Sequence, residues 1–120
     1  MPRQPGPLSP KRCWTAQDRE GFTIVLETSC WYGHILKYHR SRMRHRIIDT
    51  KSTVEQADRI DKFTTGTIDN RVYWKAWEDR DPAGNRYLKV PTEVVDKEQK
   101  VCRVLTAHPE AFLPPLIKGR

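Results

Sequence analysis

The run RVYWKAW, Arg71 to Trp77, alternates between two faces, with Tyr73, Lys75 and Trp77 on one and Val72, Trp74 and Ala76 on the other. A two-residue period in aromatic and β-branched residues marks a strand. Two similar runs follow, RYLKVPTEVV (Arg86–Val95) and VCRVLTA (Val101–Ala107). The links between these runs decide the fold class. Glu78 to Asn85, EDRDPAGN, is rich in turn formers, and Asp96 to Lys100, DKEQK, is short and polar. Such links join antiparallel neighbours, because a parallel crossover takes about a dozen residues or more. Pro91 lies inside the middle run and has no N–H for a ladder, so a bulge or kink is expected there.

Upstream, FTIVLE (Phe22–Glu27) reads as a fourth strand. Thr28 or Ser29 can then cap a helix through Trp31, His34, Ile35 and Tyr38. A second helix is expected over Arg42–Ala57, striped by Met43, Ile47, Thr50 or Lys51, and Val54. These elements define an α+β fold, two N-terminal helices packed on a four-stranded antiparallel sheet. Residues 1–19 begin with the Pro-rich, basic MPRQPGPLSPKR and are expected to form a disordered or extended arm. Residues 20–110 form the single domain that 120 residues allow, and 111–120 are a basic tail.

The charge is uneven. The net charge is +7, and no Asp or Glu lies between Glu27 and Asp49, a stretch holding Lys37, Arg40, Arg42, Arg44, Arg46 and three of the four histidines. Such a segment favours an anionic partner, nucleic acid first. A solvated helix face is the plainer alternative. The three cysteines, Cys13, Cys30 and Cys102, show no CxxC spacing, so reduced thiols are expected and neither a disulfide framework nor a zinc site. His34 and Tyr38 share a helix face, whereas His39 is five residues from His34 and points elsewhere, so no metal pair forms. No metal and no cofactor are expected. The longest apolar run is too short to cross a bilayer, and a soluble, cytoplasmic chain with no membrane partner is expected. His34 reads either as a half-buried ring bonded to backbone or as a proton-transfer group. A sheet face carrying Lys and Tyr, with cations for phosphates and rings for bases, suits RNA.

The order of short motifs carries a resemblance. It runs W-x2-H-I with a second His at 39, then Ala57-Asp58-Arg59-Ile60, R-V-Y-W-K, R-Y-L-K-V, and Val104-Leu105-Thr106-Ala107. Over residues 20–108 this resembles small phage- and bacteria-borne members of the barnase–EndoU–colicin–RelE (BECR) superfamily of RNase-like domains. The resemblance implies a metal-independent endoribonuclease of toxin type, with RNA as substrate and an antitoxin as protein partner. It implies catalytic roles for His34, Lys75, Lys89 and Thr106. RNA-binding roles fall to Lys37, His39, Arg40, Arg42, Arg44, Tyr73, Arg86 and Tyr87. Three departures stand out, one of them Ala57-Asp58-Arg59-Ile60 where relatives read P-D-x-I. His39 is followed by Arg40-Ser41-Arg42-Met43 where relatives read P-E-M, and Thr106-Ala107 is followed by His108 in place of an aromatic, which makes a second catalytic His conceivable. The alternative is a non-catalytic RNA-binding or protein-docking module of the same fold.

Overall fold

A computed structural model describes residues 5–77 and 84–115. Most of the expected turn Glu78–Asn85 and the second half of the tail therefore lie outside the described residues. The chain forms one mixed sheet of seven strands: β1 (Arg12–Gln17), β2 (Thr23–Glu27), β3 (Arg59–Thr65), β4 (Ile68–Ala76), β5 (Tyr87–Asp96), β6 (Val101–Val104) and β7 (His108–Glu110). Between β2 and β3 come α1 (Thr28–Cys30), a π-helical turn (Trp31–Ile35) and α2 (Leu36–Met43), which together make one rod. The second rod, α3 (Ile47–Glu55), follows. The expected arrangement is corrected accordingly. Two strands precede the helices, and the sheet has seven strands rather than four.

The sheet order is β1-β2-β6-β5-β4-β3, with β7 pairing β5 beyond the end of β6. The meander β4–β5–β6 is antiparallel, as the short links require, but β2 and β6 run parallel. Both of those strands thus end at the same edge of the molecule, where β2 feeds the helices and β6 feeds β7. Pro91 pairs with Val72 without a register shift, and the bulge lies between Val94 and Asp96 instead. The reason is local. The Pro91 carbonyl accepts from Leu105 N–H at 2.9 Å, so its missing donor faces the gap between β6 and β7, where no ladder bond is lost.

One face of the sheet carries the core. Ile24, Leu26, Tyr73, Leu88, Val90, Cys102 and Val104 pack against Trp31, Ile35, Met43 and Val54 of the helices. Each large apolar side chain buried there contributes about 1.5–3 kcal/mol. Trp14 joins this core from β1 and donates its indole N–H to Thr50 at 3.0 Å, tying the first strand to α3. The first rod has Glu27 rather than Thr28 or Ser29 at its N-cap, with no side-chain cap bond. It is held by burial of Trp31 and Ile35. The second rod is shorter than expected, because the chain breaks at Arg44–Arg46.

Thr65 faces Ile68 across the β3–β4 hairpin, leaving a two-residue loop in which Gly66 has φ +63°. Thr67 is not among the positive-φ residues, so the turn is of type II′ and needs glycine first. Gly66→Ala is expected to lower stability by about 1–3 kcal/mol, read from the urea midpoint. An unchanged midpoint would show that this turn accommodates a side chain.

Candidate active site

The first rod leaves the C-terminal end of β2 and packs against β7. Trp31, Ile35 and Met43 are buried at four-residue spacing, and His39 occupies the remaining place on that stripe. At His39 the helix breaks, with φ −132° and ψ 26°. Its half-buried ring stacks on His108 of β7, centroids 5.1 Å apart and planes 27° from parallel. His34 sits on the π-helical turn, a rare element often found at functional sites. It is exposed and meets Tyr38 edge-on at 5.0 Å.

Beyond Val104 the chain crosses through Leu105, Thr106 and Ala107 to β7. The Cys30 thiol holds that crossing by donating to the carbonyls of Val104 (3.3 Å) and Leu105 (3.5 Å). Burial, helped by the negative charge of Glu27, pushes this thiol up to about 12, so it stays protonated and is no nucleophile. His108 and Glu110 are two apart on one strand and share a face. Their side chains meet at 2.8 Å between Nε2 and Oε1. His108 Nδ1 and the Thr106 hydroxyl are buried, with no hydrogen-bond partner among the described residues. Buried polar atoms of this kind are exceptions in folded proteins.

Burial holds His39 below the ordinary imidazole range, and the positive charges of His108, His34 and Arg42 push the same way. His39 therefore feels both His34 on its own rod and His108 on β7. Among the described residues no group of three or more His, Cys, Asp or Glu is arranged to hold a metal ion.

The remaining expected residues divide by strand register. Lys75 pairs with Leu88, on the helix-covered face, and its ammonium lies 4.7 Å from the Trp77 ring. Lys89 pairs with Trp74 and, on its other side, with His108, so Lys89, Tyr87, His108 and Glu110 share the opposite face. The Lys89 ammonium lies 5.2 Å from the Trp74 ring. Lys75 and Lys89 thus do not meet at one site. Tyr73 is fully buried, its hydroxyl donating to Asp18, so it cannot stack on a base arriving from solution. Arg86 is exposed, and its backbone N–H donates to the Glu110 carbonyl at 3.2 Å. Lys37, Arg40, Arg42 and Arg44 are exposed on and just beyond α2, while Arg46 is paired with Asp49 at 2.9 Å.

Glu110 escaped the sequence reading, although alternation from Thr106 through His108 reaches it. A cleft of about 400 Å³ at the far end of the sheet is lined by Phe22, Phe63 and Arg71 among others. Its Arg71 is committed to Asp18 and Glu20. No family model, no curated protein and no solved structure matches this chain. Among the described residues no helix is long and apolar enough to cross a membrane.

Proposed function

We propose that the chain is a metal-independent endoribonuclease acting through His39 and His108, and that it serves as a toxin restrained by a protein inhibitor. The observation that carries this reading is the stacked histidine pair, whose His108 lies two residues along the chain from a buried Thr106 hydroxyl that has no hydrogen-bond partner among the described residues. Two imidazoles side by side suit a reaction that needs one proton removed and one supplied. His39, kept neutral by its surroundings, takes the proton from the RNA 2′-hydroxyl as O2′ attacks phosphorus. The P–O5′ bond breaks, and His108 supplies a proton to the departing O5′. The products are a 2′,3′-cyclic phosphate and a 5′-hydroxyl.

Thr106 donates to a phosphate oxygen, and preorganised donors at developing negative charge are worth about 10²–10³-fold. His34 and the cations Lys37, Arg40, Arg42 and Arg44 draw the RNA backbone to the helix. Thr106 Oγ1 and His108 Nδ1 are buried in the free protein. Reaching them requires a local opening beside the break in α2, with the His39 ring kept at the site.

The test is incubation with total RNA in EDTA, wild type beside His108→Ala, resolved on a denaturing gel. Cleavage by the wild type alone, with 2′,3′-cyclic phosphate ends, is expected. Intact RNA in both lanes, with retardation of RNA in a native gel, would replace catalysis by RNA binding alone.

A further inference from the structure

We infer that Glu110 is a positioning residue for this reaction, fixing the His108 tautomer so that Nδ1 is the nitrogen that exchanges a proton with substrate. The inference rests on the ribonuclease reading. Glu110 Oε1 lies 2.8 Å from His108 Nε2. An ionised carboxylate accepts hydrogen bonds and cannot donate, so Nε2 carries hydrogen in both the neutral and the charged ring. Proton exchange is then confined to Nδ1, the atom left buried and without a hydrogen-bond partner among the described residues.

The local chain holds this geometry. Pro109 lies between the two residues, buried on the other face and paired with Leu88. Its ring fixes φ near about −65°, which limits the swing of the side chains on either side. The Glu110 backbone is pinned through its carbonyl by Arg86 N–H. The charged and titratable groups around His108 are the stacked His39, Lys89 directly across the β5–β7 pair, and Glu110 itself. His34 and Arg42 act from the first rod through His39. The Glu110 side chain is 38% exposed. At that exposure an ion pair adds little to stability. Its effect is to choose the nitrogen, as in other carboxylate–histidine pairs that orient a catalytic ring.

Long-range ¹H–¹⁵N spectra of the imidazoles, together with steady-state kinetics, test the assignment in the full chain. Wild type is expected to show a protonated Nε2 and a bare Nδ1 in neutral His108. A glutamine amide can donate to Nε2 and so permits the other tautomer. Glu110→Gln is therefore expected to shift the population toward Nδ1–H and to lower kcat by roughly 10²-fold or more, with KM nearly unchanged. Glu110→Asp keeps the carboxylate and is expected to restore part of the rate. A wild-type His108 protonated on Nδ1, or a Glu110→Gln enzyme with unchanged kcat and pH profile, overturns the assignment while leaving the ribonuclease reading intact. RNA left uncut by the wild type overturns that reading and this role with it.

Discussion

Replacing Asp18 by alanine is expected to cost the fold about 3–5 kcal/mol, the usual penalty for removing one partner of a buried ion pair. Asp18 closes the turn between β1 and β2, its Oδ1 accepting from the backbone N–H of Glu20 (2.8 Å) and Phe22 (2.9 Å). Its Oδ2 accepts from Arg71 at 2.7 Å and from the Tyr73 hydroxyl. Arg71 in turn donates through Nε to the Tyr73 oxygen at 3.0 Å. The Asp18 side chain has no exposed surface and that of Arg71 only 6%. Burial works to raise the Asp18 carboxyl, but the bonds from Tyr73, Phe22, Arg71 and Glu20 outweigh it and hold the group below its ordinary 3.8. A carboxyl depressed on folding stabilises fully above its unfolded value, and that contribution is lost as pH falls through the folded one. Without Asp18 the Tyr73 hydroxyl loses its acceptor and Arg71 keeps, besides Tyr73, Glu20 alone of its two carboxylate partners, on the more exposed side. Urea unfolding followed by tryptophan fluorescence reads the loss at pH 7. The gap between variant and wild type should narrow as pH falls below 3.8 and through the lower folded value, where the wild type also loses the carboxylate. A deficit under about 1 kcal/mol at pH 7 would show that the network adds little to the fold.

How much of this was legible in the sequence differs from element to element, for physical reasons. β5 alternates buried and half-buried residues from Tyr87 to Thr92, and β4 is rich in β-branched and aromatic residues, so both read as strands, and the short links correctly imply antiparallel neighbours. β1 turns only Trp14 and Ala16 inward and follows a proline-rich start, which masks six residues of alternation. β3 is a sheet edge whose residues Lys62 to Thr65 are all exposed, so no buried stripe marks it. The parallel pairing of β2 with β6 joins segments far apart in the chain, and nothing local specifies it.

The site shows the same division. Counted from His34, His39 falls off the face, and this is what sequence spacing emphasised. Counted from the buried Trp31 and Ile35, it falls on their four-residue stripe, which points it inward toward β7. Alternation within β5 puts Tyr87 and Lys89 on one face, and the pairing with β7 agrees. Register between strands is set by long-range pairing, and it sends Lys75 to the opposite face. Lys89 is brought to His108 by the β5–β7 pair, a contact that depends on where a three-residue strand docks.

His39→Ala is expected to reduce RNA cleavage by about 10²–10⁴-fold, the range for removal of a general acid–base group, with binding of RNA in a native gel retained. Retention follows because the exposed cations of α2 are untouched, while the ring proposed to take the 2′-hydroxyl proton is gone. The pH profile gives the reading a sign. Burial and the charges of His108, His34 and Arg42 hold His39 below its ordinary 6.5. A base is active when unprotonated, so the acidic limb of kcat should lie below pH 6.5, with the rate lost as pH falls through that limb. Arg42→Gln removes one of the charges responsible, and the limb should then move to higher pH, with little change in the rate above it. Arg42 is also one of the cations proposed to bind the RNA backbone, so the same variant should bind RNA more weakly and lose part of the salt dependence of binding. A limb that stays in place in Arg42→Gln, or that moves down, would assign the titration to a different group. Cleavage within about threefold of wild type in His39→Ala would remove His39 from the proton-transfer step altogether.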